Sequence, residues 1–183
     1  SQLEVTLNVD PTFLIPIDEQ EEILNLKALR ISQKKYILVY AFYLPTGISK
    51  EISNFALKGG LDIIVVGYPQ KIIGSIDKSH VGPREWLHLF KHADYIVTST
   101  FHGSIYSLLY KKNFIVIGNS AVEFKVKSLL AHVHQMECYI DVNKQNKSIN
   151  ELLTTQLDYD YRNLSKIIHE SQNYINNSLS LLK

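Results

Sequence analysis

The stretch from residue 93 to residue 109 constrains the fold more than any other part of the chain. An apolar run, Tyr95-Ile96-Val97, passes through Thr98, Ser99, Thr100, Phe101, His102 and Gly103 directly into Ile105, Leu108 and Leu109, which stand at the i, i+3, i+4 spacing of a helix face. Continuous apolar runs of this kind belong to parallel strands covered on both faces. In an open α/β sheet, the turn from such a strand into a helix lies at the carboxyl edge, where ligands bind, and the first N–H groups of the helix face an incoming anion. Gly103 lets the backbone approach that anion closely, and His102 is the side chain of this turn that titrates near neutrality. The competing reading is that Thr98, Ser99 and Thr100 merely cap the helix and His102 packs at the rim of the core.

The rest of the chain repeats the same alternation. The pattern predicts extended segments over 5–9 and 13–15, a helix over 18–30 with Ile23, Leu26 and Leu29 inward, a buried strand over 36–42, a helix over 49–58 closed by Gly59-Gly60, and a strand over 61–66. Residues 70–81 lack periodicity and read as a loop at the carboxyl edge of the sheet. Pro83 opens a helix through His92, with Trp86, Leu87 and Phe90 inward and His88 and His92 toward solvent. A strand over 114–117, a helix over 122–132, a short strand over 138–141 and helices over 147–182 follow, the last with a stripe of Tyr161, Leu164, Ile168, Ile175, Leu179 and Leu182. Strands alternating with helices imply a doubly wound, Rossmann-like parallel sheet with helices on both faces and right-handed crossovers, in one domain over 1–183.

Composition narrows the function classes. A chain of 183 residues that is 45% apolar can bury one full core. Its formal net charge of +1, without long blocks of like charge, argues against a nucleic-acid or anionic-membrane surface. The single cysteine, Cys138, excludes an internal disulfide and suits a reducing compartment. There is neither an 18-residue apolar stretch nor a basic leader with an apolar core, so neither a membrane span nor a secretory signal is expected, and the expected location is the cytoplasm. No metal is expected: His88 and His92 lack the glutamate of an H-E-x-x-H site, and no carboxylate joins His132, His134 and Cys138. A phosphate-cradling P-loop and a G-x-G-x-x-G fingerprint are both absent, and no organic cofactor is expected. The glycine of a serine-hydrolase elbow is also missing, as are the acidic strand ends of a receiver-like domain.

Several spaced elements together resemble the polysaccharide pyruvyl transferase family: Asp10-Pro11-Thr12-Phe13-Leu14, the strand Tyr36-Ile37-Leu38-Val39-Tyr40, Gly82-Pro83-Arg84-Glu85-Trp86-Leu87, the turn from Ala93 to Gly103, Ser107, and Asn113-Phe114-Ile115-Val116-Ile117. The likeness runs from about Val5 to about Leu130 and corresponds to the second half of the family's usual length. It implies the C-terminal domain of a two-domain transferase of the GT-B type, with part of the active site on a missing N-terminal domain. The implied reaction transfers a pyruvyl group from phosphoenolpyruvate to hydroxyls of a sugar, free or lipid-linked, forming a ketal in bacterial surface or secreted polysaccharide. On this resemblance the phosphate is held by the N–H groups of Gly103 and Ser104 and the hydroxyls of Ser99 and Thr100, with Phe101 beside them. His102 is the acid that protonates the methylene carbon or the departing phosphate. Lys125 stands where the family usually has an arginine and Cys138 at a later arginine position; a lysine neutralises an anion but makes no bidentate fork. Two other readings are a nucleotide-sugar glycosyltransferase domain, with a diphosphate at the corner, and a non-catalytic carbohydrate-binding domain of the same fold.

Overall fold

Six parallel strands make one sheet in the spatial order β3-β2-β1-β4-β5-β6. The computed structural model describes residues 8–29, 34–142, 148–155, 157 and 160–180. The strands are β1 (Tyr36–Tyr40), β2 (Asp62–Val66), β3 (Ser75–Lys78), β4 (Tyr95–Thr98), β5 (Asn113–Ile117) and β6 (Tyr139–Ile140). Their register places Val39 beside Val97 and Val97 beside Ile115, so the central strands are apolar on both faces, as their unbroken apolar runs require. Chain order reverses between β1 and β4, which makes the gap beyond their carboxyl ends the topological switch point where open α/β sheets bind ligands.

Helices cover both faces. On one side α3 (Pro83–His92), α4 (Phe101–Leu109), α5 (Glu123–His132) and α7 (Arg162–Ser180) bury Phe90, Ile105, Leu108, Leu130 and Leu164 against Leu38, Ile96 and Phe114. On the other, α2 (Thr46–Gly59) and α6 (Ile149–Thr154) bury Ile52, Phe55, Ile149 and Leu153 against Ile37, Val39 and Val97. Gly60 ends α2 in the left-handed region at φ 63°, the usual device of a helix C-terminus.

Five local expectations change. The helix expected over 18–30 is α1 (Ile17–Ile23), a left-handed Asn25 and a 3-10 turn, Leu26–Ala28. Of its three inward residues Leu26 is buried and Ile23 is exposed, because the break rotates the stripe. Arg84 donates to the Asn25 carbonyl at 2.8 Å and so braces this turn. The expected loop over 70–81 contains β3, a short edge strand in which three of four residues are polar and none is buried, so it carries little periodic signal. The segment expected extended over 13–15 instead begins inside a 3-10 turn, Pro11–Phe13, with Leu14 also in the helical region; the turn is capped by Asp10, whose carboxylate accepts from Thr12 N–H at 3.0 Å. His88 is buried, contrary to its expected solvent face. In the C-terminal stripe Leu164 is buried while Leu179 is exposed. Residues 1–7, 143–147 and 181–183, with the expected strand at Val5 and the stripe's Leu182, lie outside the described residues.

Candidate active site

The corner between β4 and α4 is held by a relay of hydroxyls. Thr98 Oγ1 donates to the Tyr40 carbonyl at 2.7 Å, Thr100 Oγ1 lies 3.1 Å from Thr98 Oγ1, and Gly103 N–H donates to Thr100 Oγ1 at 2.9 Å. Each hydroxyl has one hydrogen, so the Thr100 hydroxyl donates to Thr98 and has no donor left. Phe42 N–H donates to Ser99 Oγ at 2.9 Å, which stitches the end of β1 to the end of β4 across the switch point. Ser104 turns inward, its Oγ donating to the Thr100 carbonyl at 3.0 Å and its N–H to the same oxygen at 3.2 Å.

This wiring corrects the expected anion cradle. Thr98, Ser99, Thr100 and Ser104 are buried, and the Gly103 and Ser104 N–H groups are spent on Thr100. Gly103 serves close packing inside the corner: a Cβ there would lie 2.1 Å from Thr98 Oγ1 and 2.7 Å from Thr100 Oγ1. The donors that remain are one step earlier. Among the described residues, no acceptor lies opposite the N–H groups of Phe101 and His102, the first two of α4, at the positive end of its dipole.

His102 projects from this end into the open, its side chain 57% exposed, with Nε2 3.9 Å from Asp10 Oδ1. Beside it opens a largely apolar cavity of about 340 Å³, whose lining includes Asp10, Phe13, Phe101, Lys125, Ser128 and His132. The Lys125 ammonium lies 5.8 Å from the centre of the Phe101 ring. Phe101 and Lys125 therefore share the cavity and His102 meets it through Asp10, whereas Ser99, Thr100, Gly103 and Ser104 are not among its lining residues. The sequence reading did not connect Asp10 with His102; its signal was the Asp10-Pro11 pair, a side-chain cap locked by a proline.

The remaining histidines divide. His132 Nδ1 lies 2.6 Å from the Ser128 carbonyl, His134 is in the left-handed region, and Cys138 is buried, its thiol pushed up to about 12 mainly by desolvation. The rings of His88 and His92 are 4.5 Å apart, and His92 is held below the usual histidine range, chiefly by burial and then by His88 and neighbouring lysines. Among the described residues, no three His, Cys, Asp or Glu side chains are grouped to hold a metal ion, and no helix is long and apolar enough to cross a membrane.

Among solved structures, the chain is similar to the dodecameric iron-containing heptosyltransferase TibC in complex with ADP-D-β-D-heptose, at TM-score 0.46 and 16% identity over 75% of this chain and 39% of that one. It is also similar to TibC from enterotoxigenic E. coli H10407, at TM-score 0.43 and 12% identity over 85% of this chain and 48% of that one. A glycerate dehydrogenase related protein from Thermoplasma acidophilum matches at TM-score 0.31 and 12% identity, over 87% of this chain and 64% of that one. This chain thus spans less than half the length of the TibC chains. No curated protein matches it. A family model, however, matches residues 1–121, which include the whole β4–α4 corner and stop short of Lys125, and by that match the chain belongs to the polysaccharide pyruvyl transferase family.

Proposed function

We propose that this chain is the C-terminal catalytic domain of an enzyme that transfers a pyruvyl group from phosphoenolpyruvate to two hydroxyls of one sugar in a saccharide. The observation that carries the reading is the family-matched corner at the switch point, where the exposed His102 stands beside the two unbonded N–H groups at the start of α4. Phosphate binds the N–H groups of Phe101 and His102 at the positive helix end. The carboxylate lies toward Lys125, and the apolar cavity walls of Phe13 and Phe101 take the methylene side.

The chemistry follows from that pose. His102, protonated, gives its proton to the methylene carbon, the C2–C3 π pair forms the new C–H bond, and C2 becomes electrophilic. A sugar hydroxyl adds to C2 and gives up its proton. The bond from C2 to the bridging oxygen breaks, and phosphate leaves with that electron pair. A second hydroxyl of the same sugar adds and closes the ketal. Of the two hydroxyl protons, one balances the proton placed on carbon and restores His102, and the other leaves on phosphate.

The test is release of inorganic phosphate from phosphoenolpyruvate by the full-length protein in the presence of bacterial surface saccharides, read beside nucleoside diphosphate release from nucleotide sugars. Phosphate release dependent on the saccharide, with a ketal in the product, is the expected result. Nucleoside diphosphate release without it would overturn the reading in favour of glycosyl transfer.

A further inference from the structure

We infer that Asp10 is a positioning residue for His102: its carboxylate, 3.9 Å from Nε2, keeps the proton on Nε2 and orients the ring so that Nδ1 is the nitrogen that serves the substrate. The inference rests on the role proposed for His102 and adds a partner from a segment 92 residues away in sequence.

Asp10 is built into its place from three sides. Its own Oδ1 accepts from Thr12 N–H at 3.0 Å, closing the 3-10 turn that Pro11 starts. The preceding residue is tied to α7, Val9 N–H donating to Ser171 Oγ at 3.0 Å. Gln20 clamps the turn to α4, donating through Nε2 to the Thr12 carbonyl at 3.0 Å and accepting through Oε1 from Tyr106 Oη at 2.9 Å. Tyr106 is one helical turn beyond His102 on α4, so the clamp fixes the turn that carries Asp10 against the helix that carries His102. The Asp10 side chain keeps 20% of its surface exposed where it meets His102 and the cavity.

The arrangement is selective in charge. Lys125 and His132 line the same cavity, and Asp10 is the carboxylate among its lining residues. A bound anion would repel a bare carboxylate; one that faces the protonated ring is neutralised by it. Which nitrogen of a histidine carries the proton is set by the partner of the other nitrogen, and a carboxylate acceptor selects the N–H that points at it. At 3.9 Å the contact is an ion-pair distance.

Asp10→Asn separates this role from a structural one, because asparagine keeps the side-chain oxygen that caps Thr12 and removes the charge. In the 183-residue chain, nitrogen-15 NMR of the neutral His102 ring, assigned by its loss in His102→Gln, is expected to show the Nε2–H form, and Asp10→Asn to shift population toward Nδ1–H. In the full-length enzyme Asp10→Asn is expected to lower kcat about tenfold to hundredfold, with melting temperature unchanged, no rise in the KM for phosphoenolpyruvate and partial recovery in Asp10→Glu. An unaltered tautomer in Asp10→Asn, or an unaltered kcat in a protein that needs His102, would overturn the inference. Full activity in His102→Ala would instead overturn the catalytic reading of the ring, and the tautomer measurement would still decide the pairing.

Discussion

His102 and Gly103 are adjacent and do opposite jobs. The histidine is turned outward by the first turn of α4, and the glycine is turned inward against two threonine hydroxyls. An alanine in a helix ordinarily gains about 1 kcal/mol over glycine. At position 103 its Cβ would have to displace Thr98 Oγ1, which bonds the β1 carbonyl, and Thr100 Oγ1, which caps α4. Neither is the loose end of a flexible side chain, so the clash outweighs the propensity gain. Gly103→Ala is therefore expected to cost about 1–3 kcal/mol net. That corresponds to about 2–4 °C in melting temperature for each kcal/mol in a chain of this size. A scan showing equal or higher stability would refute the packing account of this glycine.

At the scale of elements, what could be read in advance follows from how strongly each element is determined by its own residues. The central strands and α3 have unbroken apolar runs or a proline start, and they fall where expected, α3 over Pro83–His92. Element existence fails where tertiary context decides. β3 buries none of its four residues, so it shows no alternation to detect, and its pairing to β2 alone makes it a strand. The break after Ile23 depends on a left-handed Asn25 whose carbonyl is held by Arg84 from another helix, a contact that local sequence does not display. The corner was legible as a strand-to-helix turn, because Thr98 to Gly103 interrupts two strong periodicities. Its internal wiring was not: a threonine reads equally as an anion ligand or as a cap, and the relay from Gly103 to Tyr40 involves a strand 58 residues away from Thr98. Asp10 was visible as a residue and invisible as a partner for the same reason.

The whole molecule buries several groups that are neutral in the fold and would ionise in alkali. Tyr36, Tyr110 and Tyr161 are raised above the usual phenol range chiefly by burial, and Cys138 is raised to about 12 by the same cause. Each folded value exceeds the unfolded one, so the stability these groups contribute is fully present below about pH 9, near the unfolded thiol, and is lost as pH rises through the unfolded phenol range near 10 toward the folded values. Lys112, lowered by burial, acts in the opposite direction above its folded value, and one amine does not offset three phenols and a thiol. The urea midpoint is expected to be flat from pH 7 to about 9 and to fall steadily by pH 11; a flat midpoint to pH 11 would contradict the burial of these groups.

The proposed function rests on one placement, the start of α4 with His102 beside it at the switch point of the sheet. The most direct test is turnover and melting temperature of His102→Ala measured on the same sample of full-length enzyme. A positioned acid predicts a loss of about a hundredfold to ten-thousandfold in phosphate release from phosphoenolpyruvate, with the melting temperature unchanged, as befits a side chain 57% exposed. Near-wild-type turnover in a folded His102→Ala protein would contradict the account.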